Sequence, residues 1–481
     1  MALTRADAYR LFHDGILAFS RAEQCGIRID LVYCGRKYKQ LGHKIELLEE
    51  DFRQTKFYQH WQHVYGLKTN IHANAQLAHL LYDVRKIEPI NFTTSGKGSV
   101  DEETLVQLDI PELAGLIQIR QFGKLKDTYL ESLMREQVEG YVHSFFNLHT
   151  AKSYRSSSDR PNYHNFPARD EAAMRIIRDA IFPRPGHQIG QADYGSIEVR
   201  GACCYCQDPN LRKYIEDPTT DMHGDMAKQI FKVKDFNKKT PEHYVLRQAS
   251  KNGFVFPEFY GDYFIHCAEN MACGWCKLPK GKWKSGQGIS MPQGTISDHL
   301  MKQTIEVERT TSSGRRIKEE IPIDSYEVFE EHVRQVEDDF WNRRFKVYQA
   351  WKDRWWSQYQ KKGYFDLLTG FRCSGVMRKN EVINLPVQGA AFHCLLWAFI
   401  RLDAIQTEEK WRSRLVGQIH DSIVLDIHPD ERDHVLKTVR RVMCKDLRKA
   451  WSWITVPLDV EIELCDVDRP WSEKKAYKVV A

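Results

Sequence analysis

Residues 188–200, QIGQADYGSIEVR, leave the chain few folds to choose from. Ile189, Ala192 and Tyr194, with small Gly190 between them, suit a buried strand, and Ile197, Glu198 and Arg200 then suit the first turn of a helix. Asp193 therefore falls where a strand hands over to a helix. A carboxylate there is held by the sheet backbone yet faces a cleft, a common position for functional groups in folds that mix strands and helices. Residues 417–427, GQIHDSIVLDI, offer a second such place. His420-Asp421-Ser422 interrupts two apolar runs, which predicts strand, tight turn and strand with Asp421 at the tip. Aspartates on adjacent strand ends can hold two magnesium ions about 3.5–4 Å apart for an in-line phosphoryl displacement.

Between these stretches lies a well-marked helix start: Thr240 as N-cap, Pro241 at the first helical position and Glu242 complementing the dipole. Arg247 and Lys251 follow at i and i+4, on one face, where two cations can grip a triphosphate. The same spacing is commonplace on solvated surfaces. Composition adds limits rather than answers. At 42% hydrophobic and 28% charged, the chain is an ordinary globular one, and a formal charge of +5 permits nucleic-acid contact without demanding it. No apolar run approaches the roughly 20 residues that span a bilayer, so no membrane partner is expected. The opening MALTRADAYRLFHDG lacks the apolar core of a secretory signal. Twelve cysteines without framework spacing favour reduced thiols in a cytoplasmic setting.

The three stretches together resemble the motifs of family A DNA polymerases, the bacterial polymerase I class. Asp193–Arg200 resembles the first, Arg247-Gln-Ala-Ser-Lys251 with Phe256-Pro-Glu-Phe-Tyr260-Gly261 the second, and the His420-Asp421 hairpin the third. The resemblance implies an α+β right-hand polymerase with an antiparallel palm sheet, a helical thumb and helical fingers. Its expected boundaries are 1–150 for the thumb, 151–203 and 384–481 for the palm, and 204–383 for the fingers, with an insertion at about 262–335.

The implied activity is that of a DNA-directed DNA polymerase, a nucleotidyltransferase acting on primer–template DNA and dNTPs. A single-subunit RNA polymerase and a non-catalytic primer–template binding protein are the rivals. Asp193, Asp421 and the Tyr194 carbonyl would hold two Mg2+ ions, one acidifying the primer hydroxyl and one steadying the pyrophosphate. Glu198 would fill the space of a sugar 2′-hydroxyl and so select deoxynucleotides. Arg247, Lys251, Phe256, Tyr260 and His420 would surround the nucleotide and primer end. Lys124 and Lys126, with Arg120 on the same helix, would clamp DNA phosphates. Arg155 would meet the primer end, Arg169 the template side, and Asn384 and Gln388 the minor groove.

The sequence also departs from the family. Phe256 and Tyr260 lie five and nine residues beyond Lys251, each one residue further than usual. Gly253 and Pro257 mark a kink or π-bulge that absorbs the extra residue, whereas an unbroken helix would present Phe254 or Val255. Ser422 stands where many relatives carry glutamate. In the insertion, His266, Cys267, Cys273 and Cys276 are candidate zinc ligands, although free cysteines are more often core residues. Lys280–Gln287 reads either as a template-stacking segment or as a surface loop. Phe329, Val333, Val336, Phe340, Phe345, Tyr348 and Trp351 predict one long, packed helix. Tyr364–Arg372 predicts a hairpin, Asn384 the opening of a helix to about Ile405, and Pro457–Leu464 a half-buried strand. Because the resemblance begins at the thumb, a phage-like enzyme lacking exonuclease domains is expected, with a separate exonuclease, helicase or processivity partner.

Overall fold

The computed structural model describes residues 3–93, 95–108, 110–168, 170–310 and 316–479. At its centre is a five-stranded antiparallel sheet in the order Arg414–Ile419, Ser422–Ile427, Gln188–Tyr194, Val460–Leu464, Lys475–Ala476. The middle strand is covered on both faces, which is why it carries small and apolar residues rather than strict alternation. The last long strand begins at Val460, three residues later than its pattern suggests. The hairpin Tyr364–Asp366 with Arg372–Ser374 forms as expected.

Against the sheet lies the helix Lys379–Glu408, which starts five residues before Asn384. A capping box between Arg378 and Glu381 opens it, and Pro386 sits inside it rather than near its start. Proline cannot donate to the carbonyl four residues back, which is that of Val382. The Trp355 indole N–H fills the vacancy, donating to the Val382 carbonyl at 3.1 Å. This helix is also long and apolar enough to cross a membrane, with a mean hydropathy of 1.4 over 18 residues, a feature the scan for unbroken apolar runs misses. That window is 72% buried inside the protein, so the apolar character serves the core. The N-terminal helix Arg5–Cys25 packs on it so closely that a Cβ at Gly15 would come within 2.9 Å of Leu396.

The region before residue 136 is helical apart from the short strand Ile27–Ile29 and connecting loops. It contributes to two cores. Phe19 meets Phe399 of the long helix at 5.0 Å between ring centroids, whereas Phe52, Phe57, Trp61, Leu80, Leu113 and Leu116 belong to a separate cluster. The aromatic stripe beyond residue 326 is buried throughout, but as two helices, Tyr326–Asp339 and Lys346–Lys362. A π-turn at Phe340–Arg344 and a break at Phe345 separate them.

Two of the alternative readings offered for the insertion find no support among the described residues. Trp283 is buried against Phe329 and donates its indole N–H to the Pro279 carbonyl, so it has no face free for a template base. The zinc candidates are not gathered: His266 pairs with Asp262 at the surface, Cys267 donates to Glu258, and Cys276 is fully buried. Among the described residues, no three His, Cys, Asp or Glu side chains are placed to share a metal ion.

Candidate active site

Asp193 is the penultimate residue of the central strand, and pairing sets it opposite Ser422 on one side and Glu461 on the other. Asp421 lies in the two-residue turn between Ile419 and Ser422, where His420 takes a left-handed backbone at φ 52°. The Tyr194 amide donates to the Asp421 carbonyl at 3.2 Å, which draws the strand end and the hairpin tip together. Tyr194 sends its ring into the core, its hydroxyl donating to the Met443 carbonyl, so only its backbone borders the cleft. The hairpin tip is buttressed from residues 151–168. Ser156 donates to Gln418 at 2.6 Å, Gln418 donates to the His420 carbonyl at 2.6 Å, and the His164 ring meets the Gln418 carbonyl.

Two carboxyls are thereby forced together in a poorly solvated place. Burial, then the charge of Asp421 and a hydrogen bond with it, pushes the Asp193 carboxyl well above its ordinary range. Burial raises Asp421 as well, with Glu198 adding to the effect. Asp193 Oδ1 is buried with no hydrogen-bond partner. A buried, partnerless carboxylate oxygen beside a second acid is the donor set that divalent cations satisfy, so these residues fit magnesium. Ser422 is not a hidden third ligand. It faces into the sheet, donating to the Ile419 carbonyl and accepting from Gln191.

Beside the pair stands Glu198, in the first turn of the helix Ile197–Cys206. It is ion-paired to Arg155 and accepts a hydrogen bond from the Tyr260 hydroxyl. Asn384 donates to the Tyr260 carbonyl at 2.5 Å, and Gln388 is half-buried one turn further along the same helix. Tyr260 ends a segment that runs as helix over Pro241–Ser250, as a π-turn over Lys251–Val255, and as helix again over Phe256–Phe259. The π-turn falls where Gly253 and Pro257 indicate. Phe254 is fully buried on Phe340, whereas Phe256 stays half-exposed with the Lys251 ammonium 5.3 Å from its ring centroid.

Asp221 and His223 join the site without any local sequence signal. Arg247 is held by Asp221 through two hydrogen bonds of 2.8 and 2.9 Å. His223 packs edge-on to Phe256, and its Nδ1 is buried without a partner. Burial, with Arg247 and Lys251 nearby, lowers its imidazole to about 4. Lys124 and Lys126 lie apart from this cluster, Lys124 over Tyr129 and Lys126 between Asp127 and the ring of Tyr38. Arg169 lies outside the described residues.

The family model for DNA polymerase family A matches residues 38–273 and 327–472. The chain belongs to this family. The match leaves out 274–326, inside the expected insertion. Among family A relatives, DNA polymerase I of Chloroflexus aurantiacus is 25% identical over 475 residues, covering 95% of this chain and 42% of its own length. The thermostable DNA polymerase I of Thermus filiformis is 26% identical over 472 residues, covering 94% of this chain and 46% of its own. The chain thus spans less than half the length of these relatives. In fold it resembles the polymerase domain of Pol1 from M. smegmatis, solved in complex with DNA primer–template and dNTP. That likeness has a TM-score of 0.71 at 22% identity and covers 96% of this chain and 70% of that one. The architecture is accordingly the α+β right hand, with the five-stranded sheet as its palm.

Proposed function

We propose that this chain is a template-directed DNA polymerase that joins deoxynucleotides to a primer 3′-hydroxyl and releases pyrophosphate. The observation that carries this reading is the pairing of Asp193 and Asp421 beside Glu198, which Tyr260 links to the helix bearing Arg247 and Lys251. Two magnesium ions held by Asp193, Asp421 and the Tyr194 carbonyl would supply the positive charge that activates the primer hydroxyl and steadies pyrophosphate.

The chain's own side chains do the rest. Glu198, fixed between Arg155 and Tyr260, occupies the place a ribose 2′-hydroxyl needs, so a ribonucleotide has to break one of those bonds to fit. Lys251 meets the triphosphate directly, and Arg247 joins it by exchanging Asp221 for phosphate oxygens. The half-exposed ring of Phe256 offers the incoming base a stacking surface. His420 and Arg155 border the primer end, and Asn384 and Gln388 check the minor groove by shape. Lys124, Lys126 and Arg169 extend the grip along the DNA backbone. The working boundaries are thumb 1–150, palm 151–203 and 384–481, and fingers 204–383. A phage-like replication role in the cytoplasm completes the reading.

Primer extension in magnesium with dNTPs or rNTPs tests it. Template-matched product from dNTPs, abolished by Asp193→Ala, is the expected result. Product from rNTPs alone would mark an RNA polymerase, and primer–template retention without extension would mark a binding protein.

A further inference from the structure

We infer that Glu258 is a positioning residue for the incoming nucleotide: buried beneath the turn that carries Phe256 and Tyr260, it ties that turn to the aromatic helices behind it and so aims Tyr260 at Glu198, a role that rests on the polymerase reading of the same site. The sequence Phe256-Pro-Glu-Phe-Tyr260 gives no hint of this, since a glutamate beside proline on a short helix usually faces water. Here Glu258 is 1% exposed.

The turn needs an external hold. Phe256–Phe259 is only four residues long, Pro257 contributes no N–H, and the π-turn before it interrupts the regular hydrogen-bond ladder. Phe256 and Tyr260, at i and i+4, share one face, and Glu258 lies between them on the opposite face. Anchoring Glu258 therefore fixes the rotation of the turn and with it the direction of Tyr260. Phe259 packs against Phe340, Trp341, Phe345 and Tyr348, with ring centroids 5.5 to 6.0 Å away. Apolar contact of this kind is non-directional and leaves the turn free to roll.

Glu258 supplies the direction. The Trp341 indole N–H donates to its Oε2 at 2.7 Å, and the Cys267 thiol donates to its Oε1 at 3.5 Å. Glu337, whose own carboxylate accepts from the Phe264 amide at 2.8 Å, shares a hydrogen bond with it. The Lys352 ammonium sits 3.1 Å from the centroid of the Trp341 ring, on the indole that donates to Glu258. Burial first, then the nearby Glu337, pushes the Glu258 carboxyl far above its usual range. A buried carboxyl with a partner on each oxygen specifies one arrangement in an aromatic layer, because any other leaves those groups unpaired.

The test uses the full chain with Glu258→Gln, Glu258→Leu and Trp341→Phe, the last removing the donor but keeping an aromatic ring. Hydrogen exchange should quicken by about tenfold or more in residues 256–261 of Glu258→Leu, with no change in the strand 188–194. Trp341→Phe should loosen the same segment less, and Glu258→Gln should lie nearest the wild type. In primer extension, Glu258→Leu should raise the dNTP KM about tenfold with kcat within about threefold, and Glu258→Gln should restore most of the loss. Wild-type exchange at 256–261 in Glu258→Leu, or equal KM values in all variants, would overturn the assignment. Should Glu258→Leu fail to fold, Trp341→Phe against Glu258→Gln decides by the same two readouts. A wild-type chain that extends nothing would sink the polymerase reading instead, and exchange alone would then decide whether Glu258 holds the turn.

Discussion

Among the described residues two pairs of acids meet in poorly solvated places, and they differ in one respect that separates a site from a brace. Asp193 and Asp421 meet at strand ends, and one oxygen of Asp193 has no partner. Glu258 and Glu337 meet between helices, and Glu258 has a partner on each oxygen. Burial raises all four carboxyls, so a perturbed acidity does not tell the pairs apart. What does is whether the protein itself completes the hydrogen bonding. An acid left incomplete at the mouth of a cleft calls for something from outside, whereas a completed one holds its neighbours still.

The contrast can be broken most decisively at the open pair. Asp193→Ala or Asp421→Ala should cut primer extension about a thousandfold or more while leaving the melting temperature equal or higher, since a buried repulsion is relieved. Extension assays beside thermal melts read both, and residual synthesis in either variant would erase the distinction. Next in size, Glu198→Ala should reduce the preference for dNTPs over rNTPs about a hundredfold, measured as the ratio of kcat/KM values. Lys251→Ala should raise the dNTP KM about tenfold with a smaller effect on kcat.

The last effect is one on stability rather than activity, and it concerns a second partnerless group near the site. His223 is held at about 4, against its ordinary 6.5, so the folded chain refuses a proton that the unfolded chain accepts. Its stabilising contribution is present above pH 6.5 and is lost as pH falls toward 4, by up to about 3 kcal/mol. Melting curves from pH 7 to 4.5 should therefore fall less steeply for His223→Gln than for the wild type.

Legibility in the sequence followed the range of the interactions. The positions of Asp193 at a strand end, Asp421 in a hairpin turn and Glu198 at a helix start were readable because strand, turn and helix signals are local and bracket each of them within a few residues. The π-turn at Lys251–Val255 was readable from Gly253 and Pro257, and it placed Phe256 rather than Phe254 on the open side. The start of the long helix was not, because Pro386 looks like a helix opening when its compensating donor, Trp355, is 31 positions earlier. Glu258 was illegible for the same reason, since its partner Trp341 is 83 positions away. Trp283 looked free to stack until Phe329 covered it. The Asp221 and His223 neighbours of Arg247 carried no local signal at all.

Gly15 has a practical consequence for anyone trimming or fusing this protein. The helix that contains it nests against Leu396, whose methyl groups would have to shift to admit a Cβ there, on the same rod that presents Asn384 and Gln388. Shortening the chain past residue 25 would strip the cover from Leu396 and Phe399 and leave that rod greasy and loosely seated. Tags, split points and domain grafts should accordingly spare the opening helix, however remote it looks from the chemistry.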